Sequence, residues 1–174
     1  TIFYSIYFKK RTIIDIFILS LLYTIRIIGG GVATNIDVSF WLLAFAIFIF
    51  LSLAAIKRQS ELVELLKRGK SEIIGRAYNV KDLNFISSFA LSAGLLSNLV
   101  LILYINSPKV FSLYPNPEFL WFSCLLFLFW IVRICFKTNR GEMNYDPIIF
   151  SIKDNISISI FVLLIIFVIL STKV

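Results

Sequence analysis

Five apolar stretches divide this chain, and its Lys and Arg residues gather in alternate gaps between them. A helix needs about 20 mostly apolar residues, with a range of roughly 17 to 25, to cross a bilayer. That length predicts spans over Thr12–Ile28, Phe40–Ile56, Asn84–Ile105, Phe119–Phe136 and Ile156–Ser171. All five should be helical, because backbone facing lipid has to satisfy its own hydrogen bonds. The expected fold class is therefore all-α, a polytopic transmembrane helix bundle with the lipid bilayer as its solvent. Composition agrees: 59% hydrophobic residues and a mean hydropathy of +0.92 exceed what a soluble domain of 174 residues requires.

The gaps give an orientation. Residues 1–11 hold three basic residues (Lys9, Lys10, Arg11), 29–39 hold none, 57–83 hold seven, 106–118 hold one and 133–155 hold four. Positive charge is retained on the cytoplasmic side. The start of the chain, the 57–83 loop and the 133–155 loop are thus expected inside, and the C-terminus outside. An odd number of crossings fits that alternation. The net charge of +7 is then a topology signal and not a nucleic-acid footprint. No His is present, so imidazole acid–base chemistry and His metal sites are excluded. Cys124 and Cys135 share one span and read as packing residues.

Local signals mark the span ends. Gly29-Gly30-Gly31 is predicted to terminate the first span, as glycine does at a helix C-terminus. Ser107-Pro108 should end the third, and Pro115 and Pro117 precede the fourth. Trp41 and Trp121 fall at outer ends, where indoles favour the interface. Ala90, Gly94 and Asn98, four residues apart, make a stripe on which a neighbouring helix can approach closely.

Three groups of residues could carry chemistry. Lys57-Arg58-Gln59-Ser60-Glu61 follows directly on the second span, so that helix should continue out of the membrane. Lys57 and Glu61 are i, i+4 and Arg58 and Glu61 are i, i+3, near one face. Such a cluster could hold a phosphate or pyrophosphate, with Glu61 orienting cations or reaching a metal, or it could be a solvated, salt-bridged helix that enforces topology. Asp15 and Arg26 share a face roughly 16 Å apart along the helix axis. An ionisable group inside a span usually faces a polar cavity; the alternatives are snorkelling for Arg26 and pairing with Lys10 or Arg11 for Asp15. Asp146, in the polar run Arg140–Pro147, could help hold Mg²⁺ on a diphosphate, or belong to a simple turn.

Taken in order, several segments resemble the C-terminal part of the UbiA superfamily of intramembrane prenyltransferases. They are Tyr4-Ser5 with Lys9 and Asp15, Arg26-Ile27-Ile28-Gly29-Gly30, Ser39-Phe40-Trp41-Leu42-Leu43 and Lys57-Arg58-x-x-Glu61-Leu62. Arg76-x-Tyr78, Leu103–Pro108 and Arg140-Gly141-Glu142-Met143 with Asp146-Pro147 follow. The resemblance is nearest the branch of decaprenyl-phosphate phosphoribosyltransferase-like proteins. It implies a nine-helix bundle of which these spans would be helices five to nine, so that residues 1–174 would be the C-terminal part of one domain whose N-terminal part is missing. A start at Thr1 fits that expectation. The family's first Asp-rich motif, NDxxDxxxD, does not occur in this chain, and Lys57, Arg58 and Glu61 stand where its second motif usually has Asp.

The resemblance implies Mg²⁺-dependent transfer of a prenyl group from a diphosphate donor, in a bacterial inner (plasma) membrane with a cytoplasmic active face. This fragment would be inactive alone. It further implies catalytic roles for Glu61 and Asp15, and substrate contacts for Lys9, Arg26, Lys57, Arg58, Arg76 and Tyr78. Metal contacts would fall to Glu61 and Asp146. A polyprenyl lipid, a diphosphate-bearing donor and a homo-oligomer are the expected partners, with no nucleic acid. The replaced second motif points to an alternative, phosphoribosyl transfer from phosphoribosyl pyrophosphate to a polyprenyl phosphate. A transporter would favour charges in several spans and an internal repeat; spans two, three and five are uncharged. A non-catalytic membrane subunit is the remaining class.

Overall fold

The structure, a computed structural model, describes residues 7–69, 77–143 and 146–172. Its helices are α1 (Ile14–Thr34), α2 (Phe40–Lys67), α3 (Leu83–Ile105), α4 (Pro108–Leu113), α5 (Glu118–Asn139), α6 (Pro147–Lys153) and α7 (Asn155–Thr172). Short 3-10 turns cover Phe8–Lys10 and Val80–Asp82. Among the described residues there is no β-strand. Helices α1, α2, α3, α5 and α7 are long and apolar enough to cross a membrane. The chain is an all-α integral membrane protein.

Helix α2 is the central element and packs against α1, α3, α5 and α6. Its 28 residues extend about 42 Å at 1.5 Å per residue, beyond a hydrocarbon core of about 30 Å. The helix therefore carries Lys57 to Lys67 out of the apolar layer, as the sequence predicts. Ser39 starts it, its hydroxyl accepting the Leu42 N–H at 3.1 Å. The α2–α3 seam uses the small-residue stripe: the Ser52 hydroxyl donates to the Ala90 carbonyl at 2.7 Å. A Cβ built on Gly94 would lie 2.5 Å from Ile131 Cγ2 and 3.0 Å from Ser52 Oγ. Ile49, Ala55, Ile56, Leu62, Ile86, Ile131 and Ile134 fill the centre, whereas α7 turns Ile156, Phe161, Val162 and Ile165 outward. Cys124 and Cys135 are buried free thiols.

The end of α1 corrects the sequence reading. The helix runs through Gly29-Gly30-Gly31 to Thr34, and the left-handed cap is Asn35 (φ 54°). The Asn35 N–H reaches the Val32 carbonyl at 3.3 Å and the Ile36 N–H reaches that of Gly31 at 2.9 Å, the paired bonds of a Schellman cap. Gly31 serves close approach instead, since a Cβ there would run into the Val38 side chain as the chain turns back. Two further turns hide helices. Pro108 ends one helix but also opens α4 from its first turn. Asp146-Pro147 opens α6, with Asp146 Oδ1 accepting the Ile148 N–H at 3.1 Å.

Arg133, near the end of α5, fixes the entry to α7. Its guanidinium donates twice to Asp154, at 2.7 and 3.0 Å, and Asp154 Oδ2 also accepts the Ser157 N–H at 2.8 Å. Arg133 holds the Asp154 carboxyl down at about 2, against roughly 3.9 in an unfolded chain. A depressed carboxyl contributes stability above its unfolded value and loses it as pH falls towards the folded one. Thermal stability in detergent should thus drop between about pH 4 and pH 2. Asp154→Asn should flatten that part of the profile; an identical acid limb in the variant would assign it to other carboxyls.

Candidate functional site

At the Lys- and Arg-rich end of the bundle, three separate segments converge on Arg58. Burial of an arginine is tolerated only when its charge is matched, and Arg58 is 1% exposed. Its Nε lies 2.9 Å from Asp15 Oδ2 on α1. Its Nη1 lies 2.5 Å from Glu61 Oε2, one turn along α2. Tyr78, from the segment before α3, donates its hydroxyl to the other oxygen of Asp15. That hydroxyl accepts the Ile13 N–H at 2.8 Å. Asp15 is itself fully buried.

The tyrosine does two jobs. Burial, then the hydrogen bond to Asp15, push its pKa well above the ordinary phenol value, so the hydroxyl stays protonated as a donor. It also secures an unusual backbone: Ile13 has φ 69° and ψ −47°, a positive-φ turn conformation that β-branched residues avoid. Thr12 Oγ1 adds a 3.2 Å bond to the Ala77 carbonyl. The 77–78 segment thereby clamps the start of α1. Neither Ile13 nor its bond to Tyr78 leaves any signal in the sequence.

Lys57 points elsewhere. Its ammonium meets Asp146 Oδ2 at 2.7 Å, tying α2 to the start of α6, and its side chain remains 36% exposed. The space that Lys57 and Asp146 share with Tyr23, Phe50 and Pro147 is about 20 Å³, room for one water. Arg26 is exposed, its guanidinium 5.1 Å from the centre of the Tyr23 ring. It does not join the Asp15 cluster, although periodicity places the two on one side of α1. The Lys9 side chain and Arg76 lie outside the described residues.

Of the sequence-predicted site residues, the structure brings together Asp15, Arg58, Glu61 and Tyr78, with Lys57 and Asp146 as a separate pair. Arg58 is enclosed by two carboxylates and ties α2 to α1. Glu61 and Asp146 each face a cation of α2. Glu61 carries the Arg58 guanidinium, and Asp146 carries the Lys57 ammonium on one oxygen and a helix N–H on the other. Asp15 also has both oxygens engaged. Among the described residues, no group of three or more Asp, Glu, His or Cys is placed to hold a metal ion.

No protein-family model matches the chain. It is 35% identical over 151 residues, 86% of its length, to nodulation protein NoeC of Azorhizobium caulinodans. It is 32% identical over 158 residues, 90% of its length, to an uncharacterized protein, y4nM, of Sinorhizobium fredii. These alignments cover 49% of the first relative and 31% of the second, so the chain spans half or less of the curated relatives it matches.

Proposed function

We propose that this chain is the C-terminal part of a UbiA-type membrane transferase that uses a diphosphate-bearing donor and a polyprenyl lipid at its cytoplasmic face. One observation carries the reading. The bundle spends a buried arginine, a buried aspartate and a tyrosine on fixing the rotation of α2 where Lys57 and Glu61 emerge from the membrane. A helix that merely enforced topology would gain nothing from so costly an internal pair, because exposed cations already do that.

In the prenyl-transfer reading, the bond between the allylic carbon and the diphosphate oxygen breaks, and the diphosphate leaves with the electron pair. The acceptor nucleophile bonds to the carbon and gives up its proton. Cations aimed at the departing oxygens stabilise the charge that develops there. Lys57 is suited to this, being half-exposed and able to exchange Asp146 for a phosphate oxygen. Lys9 adds a cation by resemblance. Magnesium, when bound, would supply further neutralisation, and Asp146, freed when Lys57 turns to phosphate, would be one of its carboxylates.

The cationic Lys57-Arg58 pair, where the family usually has Asp, favours a second reading. There an oxygen of a polyprenyl phosphate attacks the anomeric carbon of phosphoribosyl pyrophosphate, and pyrophosphate leaves. Full-length protein in detergent with Mg²⁺ separates the two readings. Label passing from phosphoribosyl pyrophosphate into lipid identifies the second, and a labelled prenyl group appearing on an aromatic acceptor identifies the first. Transfer from neither donor would remove the transferase reading.

Glu61→Ala supplies a residue-level check. Arg58 keeps Asp15, so the fold should survive, while loss of the orienting carboxylate should lower turnover about 10²-fold, the scale of a misplaced catalytic group. Wild-type turnover in a folded Glu61→Ala protein would end any catalytic role for Glu61.

A further inference from the structure

Helix α1 carries two exposed strips of different chemistry. Leu21, Ile25, Ile28 and Val32, spaced i, i+4, i+7 and i+11, turn large apolar side chains outward, which suits lipid tails. One residue on, about 100° round the helix, Arg26, Gly29, Gly30 and Ala33 form a second exposed strip. Its side chains are small except for one cation. Nothing in the described chain requires the two glycines: a Cβ on either would meet no atom within 4 Å, whereas one on Gly31 would strike Val38. Glycine inside a helix costs stability relative to alanine. In membrane helices such residues mark where the backbone of another helix comes close.

Arg26 is a second, independent signal. It lies about 12 Å from the Thr34 end of α1 at 1.5 Å per residue. Its guanidinium rests 5.1 Å from the centre of the Tyr23 ring, one turn nearer the middle of the span. It is thus turned away from the closer membrane surface, where snorkelling would carry it to water and lipid phosphate. A charge at that depth is costly and is matched by an opposite charge or a polar cavity. Asp15, the acid inside span one, is committed to Arg58 and Tyr78. Spans two, three and five hold no charge, and span four holds only Arg133. A second copy of this chain therefore brings no further acid to that depth, and two copies meeting on this strip would set guanidinium against guanidinium.

We propose that this strip of α1 receives a further membrane-spanning helix of the same, longer polypeptide, which brings a carboxylate to Arg26 and packs its backbone on Gly29, Gly30 and Ala33. Length favours that source: more than half of each curated relative lies outside the aligned region. The inference rests on the reading of this chain as one part of a longer protein, and not on the transfer chemistry.

The test uses full-length protein in phosphatidylcholine nanodiscs, in a Cys124→Ala, Cys135→Ala background. A nitroxide label is attached at Leu22→Cys, one turn below Arg26 on the same face, with Leu21→Cys as the lipid-facing reference. Collisions with dissolved oxygen report lipid, and collisions with a water-soluble nickel chelate report water. The label replacing Leu22 should be shielded from both, beside high oxygen accessibility for the one replacing Leu21. Arg26→Gln should raise oxygen accessibility at the first position and leave the reference unchanged, because the carboxylate loses its partner and the helix its hold. Should Leu22→Cys fail to fold, Gly29→Cys with Ile28→Cys as its reference reads the same face. Equal oxygen accessibility at both positions means that lipid covers the strip, and overturns the proposal. High nickel accessibility means that a water-filled cavity faces it, and does the same. So does disulfide cross-linking of Leu22→Cys into dimers, which assigns the cover to a second copy, or shielding that is unchanged in Arg26→Gln. None of these readouts depends on activity, so the transferase reading stands or falls separately.

Discussion

Asp15→Ala should destabilise the bundle by about 3–5 kcal/mol, because it leaves the Arg58 charge buried with much of its compensation gone. The magnitude follows from the enclosure: both partners are essentially inaccessible, so water cannot replace the lost carboxylate. Glu61 still reaches one guanidinium nitrogen, but Nε and the Tyr78 hydroxyl lose their common acceptor. The attraction itself is not the source of the stability. Replacing a whole buried ion pair with apolar groups is often neutral or favourable. Arg58→Met combined with Asp15→Ala should therefore recover most of the loss, and a double-mutant cycle by thermal unfolding in detergent reads the coupling directly. Additive losses in the double variant would show that the two residues do not act as one unit.

Gly94→Ala is the other large effect. The added methyl would lie 2.5 Å from Ile131 Cγ2 and 3.0 Å from Ser52 Oγ. Cγ2 sits on a branched Cβ with restricted rotation, and Ser52 is tied to the Ala90 carbonyl. Neither neighbour can move cheaply, so α3 has to shift from α2 and α5. Overpacking of this kind costs about 1–3 kcal/mol. Ile131→Ala removes the obstructing atom and should cost stability alone by leaving a cavity, yet soften the effect of Gly94→Ala. If Gly94→Ala is as stable as wild type, the helices are not in close register at this point.

What can be read from the sequence divides along a physical line. Hydropathy and charge act segment by segment, so five membrane helices and the extension of α2 beyond the apolar layer are legible in the residues alone. The Ala90–Gly94–Asn98 stripe is legible too, because four-residue spacing of small side chains has few other uses in a membrane helix. Gly29-Gly30-Gly31 misleads because glycine as a stop signal reflects soluble proteins, where water can take up the freed backbone groups. In lipid the backbone keeps its internal bonds, and α1 runs on to Asn35. Contacts between distant segments are not legible. The i, i+3 and i, i+4 rules place Lys57, Arg58 and Glu61 together but not what each faces. That Arg58 turns inward to Asp15 while Lys57 reaches Asp146, 89 residues on, depends on the rotation of α2 in the assembled bundle.

The attachment of α1 has a mechanical consequence. Its long-helix neighbour is α2, and its polar fastenings to that neighbour are unevenly spread: Asp15 meets Arg58 at one end, and a single Ser20 hydroxyl reaches the Ile47 carbonyl at 3.0 Å further along. A load entering α1 from its start would meet the Thr12 and Ile13 bonds to the 77–78 segment and the adjoining Asp15 latch before the Ser20 bond. Resistance would be concentrated at that end and fall once those contacts part, as a door swings once its bolts are drawn.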